Sequence, residues 1–422
     1  MQEPRYLPNG VRVLLVPIPG VESIAVGVYV GAGSREESWE TNGIAHFLEH
    51  MVFKGTKKFP TRRQTSVLEG YGSIQNGYTY SDATAYWAKT PADKWKLGLE
   101  VQKELALNPL LRKSDLEKER GVILEEIHRR DDAPEDKVWE NFYNMRFPNQ
   151  SVGWSTLGRP EVIKTVSRES FAQFHQKNYV SSNLAVVVAG KIGDETEIFK
   201  QIEEWFGDLP KKPGSRRKKP RIATGAKVDL FSKMDAKQAH FVLGVSTFDF
   251  HDERQYALMV LNRILGYGTS GRLFASVREK RGLAYAVYSG YDLEADHGYW
   301  AAYSGVKLEK TEEAIKAVLE ELKRIAETKV PAQELLRAKE KVRGPMIFAA
   351  EDPHSQMEFY AKQVLWRPKN IKTMHEIIDR AMEVTAEDVQ RVAGELFQDN
   401  RLNLAIIGPF ENKGKFEKLL KI

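Results

Sequence analysis

Ala83-Thr-Ala-Tyr-Trp-Ala-Lys-Thr-Pro91 is a strand-like stretch that leads into an amphipathic helix from about Ala92. The second half of the chain contains a similar stretch, Asp296-His-Gly-Tyr-Trp-Ala-Ala-Tyr-Ser304. Similar segments that return in the same order along a chain indicate an internal repeat.

Two other pairs of segments recur at a single offset. Val166-Ser-Arg-Glu-Ser-Phe171 resembles Val384-Thr-Ala-Glu-Asp-Val389, and the strand end at Gly190 resembles the one at Gly408. Both pairs are 218 residues apart. The sequence therefore predicts an α+β fold with two homologous domains in tandem, each a sheet with helices on one face.

A basic, proline-containing segment separates the two predicted domains. The 422 residues suffice for two domains of about 200 residues each. We place these domains at residues 1–210 and 226–422, with residues 211–225 as a linker. The Lys and Arg residues at 211–221 could instead form a polyanion-binding patch, but no aromatic residue is interleaved with them and the net charge is only +5. A solvated linker is favoured, with no nucleic acid as partner.

The composition constrains the compartment and the kind of metal site. The chain has no cysteine, so any metal site must use His and carboxylate ligands. A lack of disulfides is typical of a reducing compartment. We find neither an N-terminal signal nor an apolar run of about 18 residues. These features predict a cytoplasmic protein that is not attached to a membrane.

His46-Phe47-Leu48-Glu49-His50 is the candidate catalytic motif. Residues four apart share one face of a helix, with Cβ atoms about 5–6 Å apart, so His46 and His50 can bind one ion. Glu49 lies beside that face without being a ligand, as the general base of a metallopeptidase does. The alternative is a pair of surface histidines on an amphipathic helix with a solvated Glu49.

A catalytic zinc site also needs a third protein ligand and one open position. A second long helix is predicted to begin at Ser114, where Ser114 and Glu117 form a capping box. This helix offers Glu119 and Glu126, which are seven residues apart and therefore share a face. Glu125 lies about 100° away from Glu126 around the helix, so these two side chains cannot point the same way.

The stretch His46 to Thr56, HFLEHMVFKGT, resembles the pitrilysin-type zinc peptidases, especially the catalytic subunit of mitochondrial processing peptidase and its half-size bacterial relatives. The resemblance covers the whole chain, because duplicated halves are also a trait of that family. It implies one Zn²⁺ per chain, held by His46, His50 and Glu126. It also implies a supporting catalytic role for Glu119, for which a structural pairing with a lysine is the alternative.

The segment from Ile74 to Tyr86 resembles the family's edge strand, which binds substrate. An edge strand can pair with an extended peptide through main-chain hydrogen bonds. Asn76 and Gly77 would be its substrate-binding residues, although the family usually has Ala where this chain has Gly77. The alternative is a plain hairpin with Asn76-Gly77 as its turn.

Arg278 and Tyr285 in the second half resemble the family's Arg/Tyr pair, which binds the substrate main chain and stabilises the tetrahedral intermediate. A guanidinium and a phenol are suitable donors to an oxygen that gains negative charge. Without the resemblance, Arg278 would be a surface cation and Tyr285 a strand residue in the core.

The second half has no metal motif, because an offset of 218 residues places Ile264, Gly268 and Gly344 at the ligand positions. The resemblance implies a homodimer in which each site uses both chains. The predicted function is a zinc metalloendopeptidase that hydrolyses peptides or unfolded segments enclosed in a dimeric chamber. A dedicated precursor- or presequence-processing peptidase is one alternative, and a non-catalytic core or assembly subunit is another.

Overall fold

Two β-sheets organise the chain in the computed structural model, which describes residues 3–214 and 218–422. The first sheet has six strands in the order β1-β2-β6-β3-β5-β4. Strand β2 runs parallel to β6, and the other neighbours are antiparallel. The strands are β1 Arg5–Tyr6, β2 Arg12–Pro17, β3 Ser23–Val30, β4 Ile74–Thr79, β5 Thr84–Pro91 and β6 Leu184–Gly190.

The second sheet has five strands in the order β7-β11-β8-β10-β9, with β7 parallel to β11 and the rest antiparallel. Its strands are β7 Lys227–Ser232, β8 Ala239–Thr247, β9 Ala284–Leu293, β10 Gly298–Val306 and β11 Asn403–Gly408. This order and these directions repeat those of the five strands β2-β6-β3-β5-β4. The two homologous sheet-plus-helix halves predicted from the sequence are confirmed.

The helices lie between and around the strands. They are α1 Ile44–Val52, α2 Arg62–Thr65, α3 Trp95–Leu107, α4 Lys113–Asp132, α5 Pro134–Arg146, α6 Pro160–Thr165, α7 Arg168–Asn178, α8 Glu195–Phe206, α9 Gln255–Leu265, α10 Thr311–Glu327, α11 Ala332–Glu351, α12 Pro353–Trp366, α13 Met374–Glu383, α14 Ala386–Leu396 and α15 Lys413–Glu417. A π-helical segment spans Phe274–Lys280. No helix in the described ranges is long and apolar enough to cross a lipid bilayer.

The repeat that starts at Val166 and Val384 corresponds to two helix N-termini. Ser167 caps α7 by accepting a hydrogen bond from the amide of Ser170, and Thr385 caps α14 by accepting one from the amide of Asp388. Hydroxyl side chains favour this position because they satisfy an amide that has no partner within the helix. The 218-residue repeat is therefore structural as well as sequential.

The repeated Tyr-Trp-Ala triplet lies on equivalent strands but in a shifted register. Strands β6 and β11 match at the 218-residue offset, so Val187 corresponds to Ala405. Across the first sheet, Val187 lies in one row with Gly27 and Trp87. Across the second sheet, Ala405 lies in the equivalent row with Val242 and Tyr303. Trp87 thus corresponds to Tyr303 and not to Trp300. Because an odd shift reverses the face of a strand, Trp87 packs beside α12 whereas Trp300 packs against Phe397 after α14.

Helices cover both faces of each sheet, and not one face as expected. In the first sheet, Val26 and Val28 point into one apolar cluster while Ala25 and Tyr29 point into another, which contains α12. Strand β3 is therefore buried along nearly its whole length, as is typical of a strand covered on both sides. In the second sheet, α5 covers one face through Phe142 and its neighbours, and α9, α10 and α14 lie against the other.

The compact units differ from the continuous domains expected at residues 1–210 and 226–422. Unit 1 comprises Met1–His128, Trp154–Lys218 and Ile347–Thr373, and unit 2 comprises Arg129–Gly153, Lys219–Met346 and Met374–Ile422. The reason is a reciprocal exchange: α5 from the first half packs on the second sheet, and α12 from the second half packs on the first sheet. We call α5 and α12 the exchanged helices.

Polar contacts anchor both exchanged helices to their sheets. Glu358 of α12 accepts hydrogen bonds from the hydroxyls of Tyr29 (2.8 Å) and Tyr78 (2.5 Å). Arg146, at the end of α5, donates to the carbonyl of Gly298 at 2.6 Å and is surrounded by aromatic rings. A lone buried guanidinium would be costly, so these contacts also explain how Arg146 is tolerated in the interior.

Candidate metal centre

Helix α1 carries the histidine motif with the orientation that its periodicity predicts. Phe47, Leu48 and Met51 are buried in the core of unit 1, where Phe47 packs edge-on against Phe171. His46 and His50 remain partly exposed. The apolar stripe therefore fixes the rotation of the helix and leaves both imidazoles on its other side.

The start of α1 is held by residues outside the motif. Gly43 adopts a positive φ of 99°, and a Cβ atom at this position would lie 2.6 Å from Cα of Gly158, so only glycine fits. The buried carboxylate of Glu37 accepts hydrogen bonds from the amides of Gly43 and Ala45, both at 2.8 Å, and from the side chain of Asn42 at 2.9 Å. Gly43 has no side chain that could cap the helix, so the carboxylate of Glu37 accepts hydrogen bonds from the free amides at the start of α1 instead.

His46, His50 and Glu126 converge on one point. One ligand atom from each of the three lies within 4.8 Å of the others. Oε2 of Glu126 is 3.7 Å from Nε2 of His46 and 3.7 Å from Nε2 of His50. Ligand atoms about 2.1 Å from a tetrahedral zinc ion stand about 3.4 Å apart, so the observed spacing and the donor set of two imidazoles and one carboxylate fit this metal.

Glu119 orients His50. Nδ1 of His50 donates to Oε1 of Glu119 at 2.9 Å, which leaves Nε2 directed at Glu126. The second oxygen of Glu119 forms an ion pair with Lys54. Burial by itself would lower the pKa of His50, but the bond to Glu119 and the nearby carboxylates of Glu126 and Glu49 raise it in the metal-free protein. Burial would raise the pKa of Glu119, but its bonds to His50 and Lys54 hold that pKa below its usual value.

Glu49 is buried beside the candidate ligands His46, His50 and Glu126. Its Oε2 accepts a hydrogen bond from the hydroxyl of Thr79 at 2.8 Å. Burial raises the pKa of the Glu49 carboxyl, whereas the Thr79 bond and the neighbouring His50 oppose that rise. A carboxyl group that is mostly withdrawn from water and lies near a metal position is suited to proton transfer.

The long helix α4 differs at its start from the prediction but places its acids as expected. It begins at Lys113, so Ser114 lies inside the first turn and does not precede it. Glu119 is buried and Glu126 is partly buried, whereas the side chain of Glu125 is exposed. The face assignment made from helical spacing thus agrees with the structure.

Asn76 and Gly77 lie within an edge strand, and the alternative of a hairpin turn at these residues is wrong. They belong to β4, which forms the end of the first sheet, and the turn to β5 is closed by a hydrogen bond from Tyr80 to Ala83. A Cβ atom at Gly77 would lie 3.1 Å from the ring of Phe53. This crowding gives a physical reason for glycine at this position.

Arg278 and Tyr285 lie in unit 2. Arg278 is exposed on the π-helical segment, with its guanidinium 5.1 Å from the ring of Phe274. Tyr285 is 53% exposed on β9, one of the two edge strands of the second sheet, so it is not the core residue of the alternative interpretation. π-Helical turns are rare and are often found at functional sites. The catalytic role of the pair remains a prediction.

Three residues around the centre were not predicted from the sequence. Lys54 lies four residues after His50, inside the quoted motif, and its spacing could have indicated a partner for the acidic helix. Thr79 lies on the predicted substrate strand. The alternation of side chains along the strand predicts the face on which Thr79 lies, but it does not predict the contact with Glu49. Glu37 has no local signal at all, because its partners depend on how the loop before α1 folds back.

Two family models match the chain. One, described as insulinase (peptidase family M16), matches residues 12–159, and the other, described as the peptidase M16 inactive domain, matches residues 165–342. His46, His50 and Glu126 all lie within the residues matched by the first model.

Several bacterial proteins are similar along nearly their whole length. An uncharacterized zinc protease of Bacillus subtilis, YmxG, is 34% identical over 405 residues, with 96% of this chain and 97% of that protein covered. One from Mycobacterium leprae is 33% identical, with 99% and 94% covered.

Solved structures share the fold at lower identity. A protease from Helicobacter pylori superposes with a TM-score of 0.90 at 24% identity, with 96% of this chain and 99% of that chain covered. A chain of complex III2 from Candida albicans superposes with a TM-score of 0.84 at 18% identity over the full length of both. The sequence relatives extend to both halves, so the family predicted from the HFLEH stretch is confirmed. The chain belongs to the insulinase family of peptidases, family M16.

Proposed function

We propose that the protein is a zinc-dependent endopeptidase in which His46, His50 and Glu126 hold the metal and Glu49 is the general base. The observation that carries this proposal is the convergence of the three ligand atoms within 4.8 Å of one another, next to a buried glutamate. The relatives called zinc proteases support the same metal and the same class of reaction.

The metal and the side chains around it have separate roles in the proposed hydrolysis. Zinc, when bound, supplies a Lewis acid that activates water and polarises the scissile carbonyl. Glu49 takes the proton of the attacking water and passes it to the leaving amine, a role worth about 10²–10⁴-fold in rate. Glu119 keeps the proton of His50 on Nδ1, so that Nε2 can act as a ligand.

Strand β4 is the proposed binding site for the substrate main chain. It is one of the two edge strands of the first sheet and contains Asn76 and Gly77. A peptide added as a further strand is gripped mainly through its backbone, which favours extended or unfolded substrates over folded ones. Arg278 and Tyr285 would supply donors to the oxygen that gains charge in the transition state.

A homodimer completes the proposal, with each site using the Arg278 and Tyr285 pair of the other chain in one chamber. The proposed location is the cytoplasm. A dedicated processing peptidase would use the same chemistry, so the two substrate classes are separated by mapping cleavage sites in a mixture of unstructured peptides by mass spectrometry. Many cleavage sites with no shared sequence support a general endopeptidase, and one dominant site supports processing.

The test of the site separates base from ligand. Glu49→Gln should abolish hydrolysis of a quenched fluorescent peptide while retaining about one zinc per chain, since Glu49 is outside the first coordination shell. Glu126→Gln should lose activity and bind zinc more weakly. The measurements are metal content by atomic spectroscopy and peptide cleavage before and after chelation.

The reverse pattern would overturn the assignment: loss of zinc in Glu49→Gln together with normal zinc in Glu126→Gln. A wild-type protein that binds zinc but cleaves no peptide would instead favour the non-catalytic subunit. Lys118→Gln is a suitable control, because Lys118 lies on α4 next to Glu119 but is exposed.

A further inference from the structure

Thr79 connects the edge strand β4 to the proposed general base, Glu49, through a hydrogen bond. It is the last residue of β4, and its hydroxyl donates to Oε2 of Glu49 at 2.8 Å. Glu49 is 9% exposed, and this is the hydrogen bond that its carboxylate receives from β4. The contact joins two segments that are 30 residues apart in sequence.

The strand that carries Thr79 is held from its other face as well. Tyr78, the preceding residue, points the opposite way and donates to Glu358 of the exchanged helix α12 at 2.5 Å. Because successive side chains of a strand alternate, β4 is bonded to α1 on one side and to α12 on the other. Its position along the sheet is therefore fixed on both sides.

We propose that Thr79 is a positioning residue that sets the orientation of Glu49 relative to a peptide bound on β4. This inference rests on the proposed function. Oε2 of Glu49 accepts the hydrogen bond from Thr79, so Oε1 of the same carboxylate is the oxygen that takes the proton from water. One strand then fixes both the register of the substrate backbone and the direction of the base, so the scissile bond and the base meet in a constant geometry.

The inference predicts a specific kinetic signature. Thr79→Val keeps the shape and the strand preference of the side chain but removes the hydroxyl. We expect kcat to fall about tenfold or more, in the range usual for loss of an outer-shell partner, with KM and zinc content within about twofold of wild type. Thr79→Ser restores the hydroxyl and should recover most of kcat.

Thr84→Val is the matched control. Thr84 lies directly opposite Thr79 on β5, and its hydroxyl donates to the carbonyl of Ala32 at 2.9 Å. The same substitution there removes the bond to Ala32 and a bond to Tyr179, and Thr84 forms no hydrogen bond with Glu49 in the described structure. We expect Thr84→Val to lower the midpoint of thermal unfolding at least as much as Thr79→Val, because Thr84 is fully buried, but to leave kcat within about twofold.

The inference is overturned if Thr79→Val retains wild-type kcat, or if Thr84→Val loses kcat to the same extent. Should Thr79→Val fail to fold, Thr79→Ala provides the same comparison with Thr79→Ser at a position that is only half-buried. Failure of this inference is distinct from failure of the proposed function. The latter would appear as an inactive wild-type protein or an active Glu49→Gln variant.

Discussion

Glu125 and Glu126 are adjacent on α4 but have different surroundings. Glu126 faces Nε2 of both His46 and His50, whereas Glu125 is exposed to solvent. Neighbouring residues of a helix are about 100° apart around its axis, so only one of two adjacent acids can reach a given point. The same rule explains how Glu119, two turns earlier, reaches His50 from the face that carries Glu126.

At this scale we expect Glu125→Gln to retain normal zinc content and most of the activity. An exposed carboxylate outside the first shell contributes little to metal binding, while Glu126→Gln removes a ligand charge. Metal content and kcat of the two variants, measured side by side, provide the check. Zinc loss in Glu125→Gln with an unaffected Glu126→Gln would move the third ligand by one residue.

The element that matters most for the centre is α1, a helix of nine residues. Its first turn is capped by Glu37, whose carboxyl is buried and accepts three hydrogen bonds. Burial raises the pKa of Glu37 to about 8, although the amides of Ala45 and Gly43 and the side chain of Asn42 oppose the rise. The orientation of the histidines therefore depends on a titratable group outside the metal site.

This pKa predicts a pH dependence of folding stability. A carboxyl with a higher pKa in the folded state than in the unfolded state binds more protons when folded, so its contribution is complete at low pH and is lost as pH rises. Between about pH 4.5 and 8, metal-free wild-type protein should lose more stability than Glu37→Gln, which cannot ionise.

Urea unfolding of both proteins at pH 5.5 and 7.5, monitored by circular dichroism, gives the difference. Glu40→Gln is the control, since Glu40 is an exposed carboxylate that lies between Glu37 and the start of α1. Equal pH slopes for wild type and Glu37→Gln would refute the argument.

Across the whole molecule, two similar halves have diverged in chemistry while exchanging one helix each. The positions at the 218-residue offset from the ligands are Ile264, Gly268 and Gly344, which have no metal-binding side chains. Each compact unit depends on a helix from the other half of the sequence, namely α5 or α12. We therefore expect neither half to fold independently when it is cut at the 211–225 segment, in contrast to what a linker between separate domains would allow.

The shared site of the proposed homodimer is tested by mixing two inactive variants. One chain carries Glu49→Gln, and the other carries Arg278→Ala with Tyr285→Phe. If each site combines the metal residues of one chain with the Arg/Tyr pair of the other, a mixed dimer has one intact site. Random exchange makes half of the dimers mixed, so about a quarter of wild-type activity should return.

Activity should appear only after conditions that permit subunit exchange. If Arg278 and Tyr285 serve the metal site of their own chain, no mixture contains a complete site and activity stays at the level of the variants. Sedimentation at the assay concentration is the control, and a fully active monomer would refute the composite site.

Local patterns in the sequence determined the metal motif, its helix and the repeat. His46, Glu49 and His50 lie within about one turn of α1, so no distant contact is needed to predict that they share a region of its surface. The repeat at Val166 and Val384 is also local, because each segment contains the cap of the helix that follows it. The choice of Glu126 as third ligand came from resemblance to a family, because helical spacing alone allowed Glu119 as well.

Only the tertiary structure decided which distant groups meet. The register of β5 and β10 depends on pairing with neighbouring strands, so the matching of Trp87 with Trp300 was three residues out and reversed the face. The exchange of α5 and α12 likewise follows from burial of the second face of each sheet. Alternation along one strand shows that a face is apolar, but it does not show which helix covers that face. The bond from Thr79 to Glu49 depends on the packing of β4 against α1, because side-chain hydrogen bonds between separate elements are set by packing and not by local sequence.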